Sequence, residues 1–536
     1  MAEPNPFILA NIIRAKSEES PDLDVLTFVT IDKNGEFEDE VRTYRDLWEN
    51  GQRLAAGLGD VAMADGESFG LITANHPEFV ESMIGASIEN TIFVPIDPRT
   101  KAAKLTYMLS HADCKGAIIA DYALDNLVEV LGELPLLEWV WVLDSGVGVS
   151  LPEDDRFAWM GDILAKPVPD RPVKAIDPEA PMQMLYTSGT TGDPKAILAA
   201  HARFGGMAMM GDAVFGFSSD DRPYTGLSLT HANAQLITLG AVIGMGLRGV
   251  ISRKFTKSRL WDITRRHGCT CFNLLGGMTT AIYSEPRKDN DADNPVNRVL
   301  SAGMPGAIWE DFANRFDLKV HEFYGTAEGG MTMNPPGVGP IGSCGKPPPN
   351  MIGAILDEND NECPPGVSGQ ICFRSAGEEE MSVSYFKNEE ASKKKTDRGW
   401  FRSGDIGHMD EDGWFYFEYR AGGGIRRNGD FINPGFVEGA IAANDMVDDI
   451  FIWGIHTENN TPGEQEVVAA IVPTDSNSFD PQEVFKFCRE KLESNFMPTF
   501  IQILDEIPKT ASEKPQVRFC LEDYEADRGN IVTEKK

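Results

Sequence analysis

Between about residues 40 and 300, short β-rich runs alternate with stretches that read as helix, and few architectures accommodate that alternation. Candidate strands are 69–74, 91–96, 116–120, 139–143, 182–186 and 249–252. Between the strands, 44–58 places Leu47, Leu54 and Leu58 on one helical face, and Thr43 with Asp46 has the spacing of a capping pair. The pattern predicts a doubly wound, mainly parallel α/β sheet. After residue 340 the texture changes to Gly/Pro-punctuated β segments, including 369–374 and 414–419, which predict a small β-barrel-like unit. Three successive glycines, 422–424, then mark a boundary behind a strand. Beyond it 437–444, 449–455, 466–473, 480–492 and 499–504 read helix, strand, strand, helix, strand, a compact α+β tail. A chain of 536 residues exceeds what a single core serves. The expected division is 1–420 and 421–536.

Charge and composition narrow the function. The formal net charge is -34, which disfavours binding to nucleic acid or to anionic lipid, since both need a basic surplus. Anionic ligands would require basic groups concentrated locally. No apolar run is long enough to span a bilayer, and the start Met-Ala-Glu-Pro-Asn-Pro lacks a basic region followed by an apolar stretch, so no membrane insertion and a cytoplasmic location are expected. Eight scattered cysteines without CxxC spacing predict reduced, packed thiols rather than a disulfide framework or structural zinc. Cys269 and Cys271 sit in an alternating stretch that reads as strand.

The segment Leu185-Tyr-Thr-Ser-Gly-Thr-Thr-Gly-Asp-Pro-Lys195 follows an apolar strand. Its glycines let backbone N–H groups approach an anion, four hydroxyls (Thr187, Ser188, Thr190, Thr191) add donors, and Lys195 adds a cation. It does not fit GxxxxGK[ST]. Ser301-Ala-Gly-Met-Pro305, Glu322-Phe-Tyr-Gly-Thr-Ala-Glu328, Arg402-Ser-Gly-Asp405, Arg420 and Pro508-Lys-Thr-Ala-Ser-Glu-Lys514 follow in order. Together these motifs resemble those of the adenylate-forming superfamily, which includes acyl- and aryl-CoA synthetases, peptide-synthetase adenylation domains and beetle luciferases. The resemblance covers essentially the whole chain. It is nearest to crotonobetaine/carnitine-type and fatty-acid CoA ligases, most clearly at Leu227-Ser-Leu-Thr-His-Ala-Asn-Ala-Gln235.

The resemblance implies ATP, Mg2+ and coenzyme A as ligands and a mobile C-terminal domain carrying Lys514. Thr187, Ser188, Gly189, Thr190, Thr191, Gly192 and Lys195 would hold the β- and γ-phosphates, and Thr187 with Glu328 would serve the metal. Ala302, Gly303, Met304, Glu322, Tyr324, Gly325 and Thr326 would form the adenine site, with Glu322 accepting from the exocyclic amine. Asp405 and Arg420 would bind the ribose, and Lys514 would bridge the acid and the ribose–phosphate region. His231 would gate or contact the carboxylate. Arg253, Lys254, Lys257, Arg259, Arg426 and Arg427 are candidates for coenzyme A phosphates. Asn233, Gln235, Gly276, Gly277, Met278, Gly303 and Met304 are candidates for the acid pocket. The resemblance also allows a homodimer.

Three positions depart from the family pattern: Ala327 where threonine precedes the glutamate, Glu513 where glycine precedes the lysine, and Gly423 at the hinge. The end of the chain shows no carrier module, which favours free coenzyme A as acceptor. Transfer to a separate carrier protein, luciferase-like oxidation and non-catalytic nucleotide binding stand as alternatives.

Overall fold

The structure is a computed structural model that describes residues 4–534 except 188–193, 336, 379, 422–423, 428–429, 458–464, 493 and 511–512; side chains at 277, 426, 430 and 431 are also left aside. The chain forms two compact units. One comprises residues 1–256, 262–273 and 383–394, and the other 257–261, 274–382 and 395–536.

The first unit contains a seven-stranded sheet in the order Phe157–Trp159, Trp139–Leu143, Gly116–Ala120, Ser68–Ile72, Ile92–Pro95, Pro181–Tyr186, Ala196–Ala200. Its neighbours pair in parallel except the last two, which form an antiparallel hairpin. Strands such as Gly116–Ala120 and Trp139–Leu143 are buried along their whole length, as a parallel sheet covered on both faces requires. The helix Tyr44–Asp60 starts where the sequence predicts: Asp46 N donates to Thr43 Oγ1 at 3.1 Å and Thr43 N donates to Asp46 Oδ2 at 2.9 Å. Leu47, Leu54 and Leu58 are buried, each contributing roughly 2 kcal/mol by removal from water. A second sheet in this unit pairs Asp24–Ile31 with Phe37–Thr43 and with Gly249–Ser252, and Gly249–Ser252 in turn with Pro223–Thr225. Cys269 and Cys271 are both buried, the latter opening the strand Cys271–Leu275.

In the second unit Arg298–Ala302 and Lys319–Thr326 are parallel, and Lys319–Thr326 turns back into Gly329–Met333. The small β unit is a four-stranded antiparallel meander of Met351–Leu356, Gly369–Ser375, Phe401–Met409 and Phe415–Arg420. The tail follows the predicted order, Pro434–Ala442, Val447–Ile455, Glu466–Pro473, Pro481–Lys491 and Phe500–Ile503, with ends shifted in all but Glu466–Pro473. It adds the helix Val517–Ala526 and the strand Ile531–Thr533, which joins the edge of its sheet. Val437, Ile441, Ile452, Val467, Ile471, Val484, Phe485 and Ile501 make its core. Among the described residues no helix is long and apolar enough to cross a membrane.

Candidate functional site

In the first unit the glycine-rich segment is the loop of the hairpin Pro181–Tyr186 and Ala196–Ala200. Thr187 N donates to the Lys195 carbonyl at 2.9 Å, which closes the loop base. Tyr107 Oη donates to the Pro194 carbonyl at 3.1 Å, and Tyr186 Oη to the Met108 carbonyl at 3.0 Å. Lys195 is exposed, its Nζ 5.4 Å from the Tyr385 ring centroid. Ser188, Gly189, Thr190, Thr191 and Gly192 lie outside the described residues.

The His231 segment is pinned by one buried side chain. Asn75 Nδ2 donates to the carbonyls of Leu227 and Ser252 at 2.8 and 2.9 Å, and its Oδ1 accepts from Leu229 N at 2.8 Å. Gln235 Nε2 donates to the Leu229 carbonyl at 2.7 Å, and Asn233 Oδ1 accepts from Asn273 Nδ2 at 2.5 Å. These two pocket candidates therefore spend polar atoms on local structure. They open a π-helical stretch, Ala234–Gly240, whose widened turn is a frequent mark of functional segments.

In the second unit the strand Lys319–Thr326 carries most of the predicted adenine site. Glu322 is buried, and its two oxygens accept from Gly303 N at 2.6 Å and Met304 N at 3.1 Å. Burial pushes its carboxyl up to about 8 even though both amides favour the charged form. Glu322 thus anchors the 302–304 turn. Gly303 has φ +110°, and a Cβ there would come within 3.2 Å of Gly276 Cα, so a larger residue meets both strain and backbone. Ala302 ends the preceding strand, while Met278 and Met304 are buried. Gly325 is exposed, and Thr326 Oγ1 donates to the Gly329 carbonyl at 2.5 Å across the turn that contains Ala327 and Glu328.

Tyr324, Asp405, Arg420 and Lys514 converge. Tyr324 Oη donates to Asp405 Oδ2 at 2.6 Å. Asp405 lies opposite Arg420 across two antiparallel strands, with Oδ1 3.4 Å from Nη1. Asp405 N donates to Ser403 Oγ at 2.9 Å, which fixes the bend before the carboxylate. Lys514 sits on a turn closed by Thr510 N donating to its carbonyl at 2.8 Å. Its ammonium is held below the usual lysine value by desolvation first and the Arg420 charge second, while Asp405 and Glu328 pull the other way. Lys514 nevertheless has substantial surface exposure.

Several basic candidates already have partners within the fold. Arg253 donates to the Asn75 carbonyl at 2.9 Å and to Thr30 Oγ1 at 3.2 Å. Lys257 pairs with Asp448 at 2.7 Å, and Arg427 donates to the Met497 carbonyl at 2.6 Å and contacts Glu466 at 3.2 Å. The Arg426 side chain is outside the described set. Lone basic residues in sequence do not reveal carbonyl partners far along the chain. The same blindness hides Asn75, Ser403 and Lys395, the last lying 3.8 Å from Glu328.

Among the described residues no group of three or more His, Cys, Asp or Glu is arranged to hold a metal. One hard carboxylate at Glu328 still fits Mg2+, which commonly takes one or two protein carboxylates and completes its shell with water and substrate phosphates.

The model of the AMP-binding enzyme family matches residues 13–382, and that of the AMP-binding enzyme C-terminal domain matches 437–514. The chain is 28% identical over 487 residues to the medium/long-chain-fatty-acid–CoA ligase FadD17 of Mycobacterium marinum, covering 89% of this chain and 91% of the relative. It is 24% identical over 490 residues to a crotonobetaine/carnitine–CoA ligase of Salmonella heidelberg, covering 88% and 91%. The crystal structure of the anthranilate CoA ligase AuaEII with anthranoyl-AMP superposes with a TM-score of 0.83 at 22% identity, covering 96% of each chain, and shows the same large and small α/β domains. On these matches and on the ordered motifs, the chain belongs to the AMP-binding enzyme family.

Proposed function

We propose that this chain is an ATP-dependent, AMP-forming acid–thiol ligase that activates a carboxylic acid and transfers the acyl group to coenzyme A. The observation that carries the reading is the convergence of Tyr324, Asp405, Arg420 and Lys514, three charges and a hydroxyl suited to a ribose and the phosphate beside it. The family match and the curated relatives support it.

In the first half-reaction a carboxylate oxygen attacks the α-phosphorus of ATP and the bond to the bridging oxygen breaks, releasing pyrophosphate. Negative charge builds on the phosphoryl oxygens, so fixed cations and donors there lower the barrier. Lys514 supplies one such cation, shared between the acid and the phosphoryl group. Asp405 accepts from ribose hydroxyls, and Arg420 holds it in place. Thr187, Ser188, Gly189, Thr190, Thr191, Gly192 and Lys195 hold the departing pyrophosphate. Tyr324 and the 302–304 turn make the adenine platform, with Glu322 fixing that turn and keeping acceptor capacity for the exocyclic amine. Glu328 and Thr187 would hold Mg2+, which would supply positive charge to offset that of the triphosphate. In the second half-reaction the deprotonated thiol attacks the acyl carbon and AMP leaves. His231 gates that entrance. Rotation of a C-terminal domain, 421–536, about the glycines after Arg420 exchanges the two steps. We read the enzyme as cytoplasmic, with a homodimer as a compatible assembly.

Pyrophosphate release and coenzyme A consumption, measured against a panel of fatty, aromatic, steroidal and betaine-type acids, test this function. Acid-dependent release with at least one class, followed by loss of free thiol, is expected. Absence of acid-dependent exchange between pyrophosphate and ATP across the whole panel would overturn it.

A further inference from the structure

The Glu328 carboxylate has a cation beside it that the proposed chemistry does not use. Lys395 Nζ donates to the Ser403 carbonyl at 2.9 Å, lies 3.8 Å from Glu328 Oε1, and sits 5.2 Å from the Phe401 ring centroid. The Lys395 and Glu328 side chains are only 13% and 7% exposed. A surface lysine swings away from an approaching cation at little cost. This one is anchored by a backbone carbonyl and partly shielded from water, so its charge stays in place and is weakly screened. At 3.8 Å it is a charge contact more than a hydrogen bond and does little to orient the carboxylate.

We propose that Lys395 is a positioning residue of the charge field at Glu328: it keeps free divalent cations off this carboxylate, so that the metal enters together with nucleotide phosphates. A dication approaching Glu328 alone meets a fixed positive charge at close range. The same dication arriving on a polyanionic triphosphate brings negative charge that outweighs the lysine. Binding order is thereby set without a dedicated metal cage. The proposal rests on the assignment of Glu328 to the metal.

The test is titration of Mn2+ into the full-length protein with unbound Mn2+ read by electron paramagnetic resonance, first without nucleotide and then with a non-hydrolysable ATP analogue. Wild type and Lys395→Arg should bind nucleotide-free Mn2+ weakly and alike. Lys395→Met should bind it about tenfold more tightly, as removal of a neighbouring unit charge implies. That gain should vanish in the Lys395→Met/Glu328→Gln double variant and shrink when the ATP analogue is present. Lys395→Gln keeps an N–H for the Ser403 carbonyl and should behave as the methionine variant does, which preserves the test if the latter folds poorly. Equal nucleotide-free Mn2+ affinity in wild type and both neutral variants, or a gain that survives in the double variant, would overturn the proposal. Failure of the underlying assignment reads differently: Glu328→Gln alone would leave Mn2+ binding with the ATP analogue unchanged.

Discussion

Asp405 engages a different partner with each carboxylate oxygen: Oδ2 takes a 2.6 Å hydrogen bond from Tyr324, and Oδ1 lies 3.4 Å from Nη1 of Arg420 on the facing strand. A carboxylate has about four acceptor positions, so each oxygen retains capacity for one hydroxyl of a vicinal diol.

Asp405→Asn replaces one of those acceptors with a donor and weakens the Arg420 contact. The Michaelis constant for ATP should rise about 10- to 100-fold, as loss of charged hydrogen bonds worth about 1.5–3 kcal/mol implies. Tyr324→Phe removes only the supporting donor and should cost less. Steady-state kinetics with saturating acid, together with AMP binding by calorimetry, checks both.

Glu322 provides a pH signature. Its folded-state value, about 8, lies above that of an unfolded glutamate, so the native chain holds a proton that the unfolded chain has released. Its contribution is complete below the unfolded value and is lost as pH rises through about 8. Glu322→Gln keeps an acceptor for one backbone amide and removes the titration. Denaturant melts at several pH values should show a shallower decline in stability between pH about 5 and 8 in the variant, by an amount on the order of a few kcal/mol at the upper end.

Much of this architecture is legible in residue pattern. The strands Gly116–Ala120, Trp139–Leu143, Gly249–Ser252 and Glu466–Pro473 have the predicted ends, because a buried strand bounded by polar turns leaves little freedom of register. The helix at 44–58 runs on to Asp60, past Gly59, and is closed by Val61 N donating to the Gly57 carbonyl. The strand Ile531–Thr533 is too short to carry a periodic signal and exists through its pairing with Phe500–Ile503. At the site, motif order identifies Tyr324, Asp405, Arg420 and Lys514, but it is silent on Lys395, Asn75 and Ser403. Their importance lies in bonds to backbone atoms, which any residue type supplies. It also does not show that the Glu322 oxygens accept from the amides of Gly303 and Met304.

Substitution of Lys514 tests the proposed division into two half-reactions. Lys514→Ala removes a cation from the phosphoryl transfer step and should lower adenylation about 100- to 1,000-fold, the range seen when a single electrostatic stabiliser is deleted. Thioester formation from supplied acyl-AMP should keep most of its rate. Parallel losses in both assays would show that Lys514 supports the fold of the site instead. Because its ammonium is held below the usual lysine value, adenylation should also fall at a lower alkaline pH than an ordinary lysine would give. A pH profile of acid-dependent exchange reads that limb.

Glu513 stands where relatives of this kind place glycine, and the structure shows why glycine suits the position. Its φ is +57°, in the left-handed region, and its N–H donates to the Thr510 carbonyl at 2.9 Å to close the turn that presents Lys514. A side chain there costs about 1 kcal/mol, since Cβ crowds the following carbonyl. Glu513→Gly relieves that strain but also loosens the unfolded chain, so the net gain should be only about 0.5 kcal/mol. Differential scanning calorimetry should therefore show a rise of roughly 1–2 °C or less, with adenylation retained. A fall in stability would mean that the glutamate makes contacts worth more than the strain it carries. Glu513→Ala distinguishes the two cases: it keeps the strained Cβ and removes the carboxylate, so it should gain no stability if backbone geometry is the whole effect.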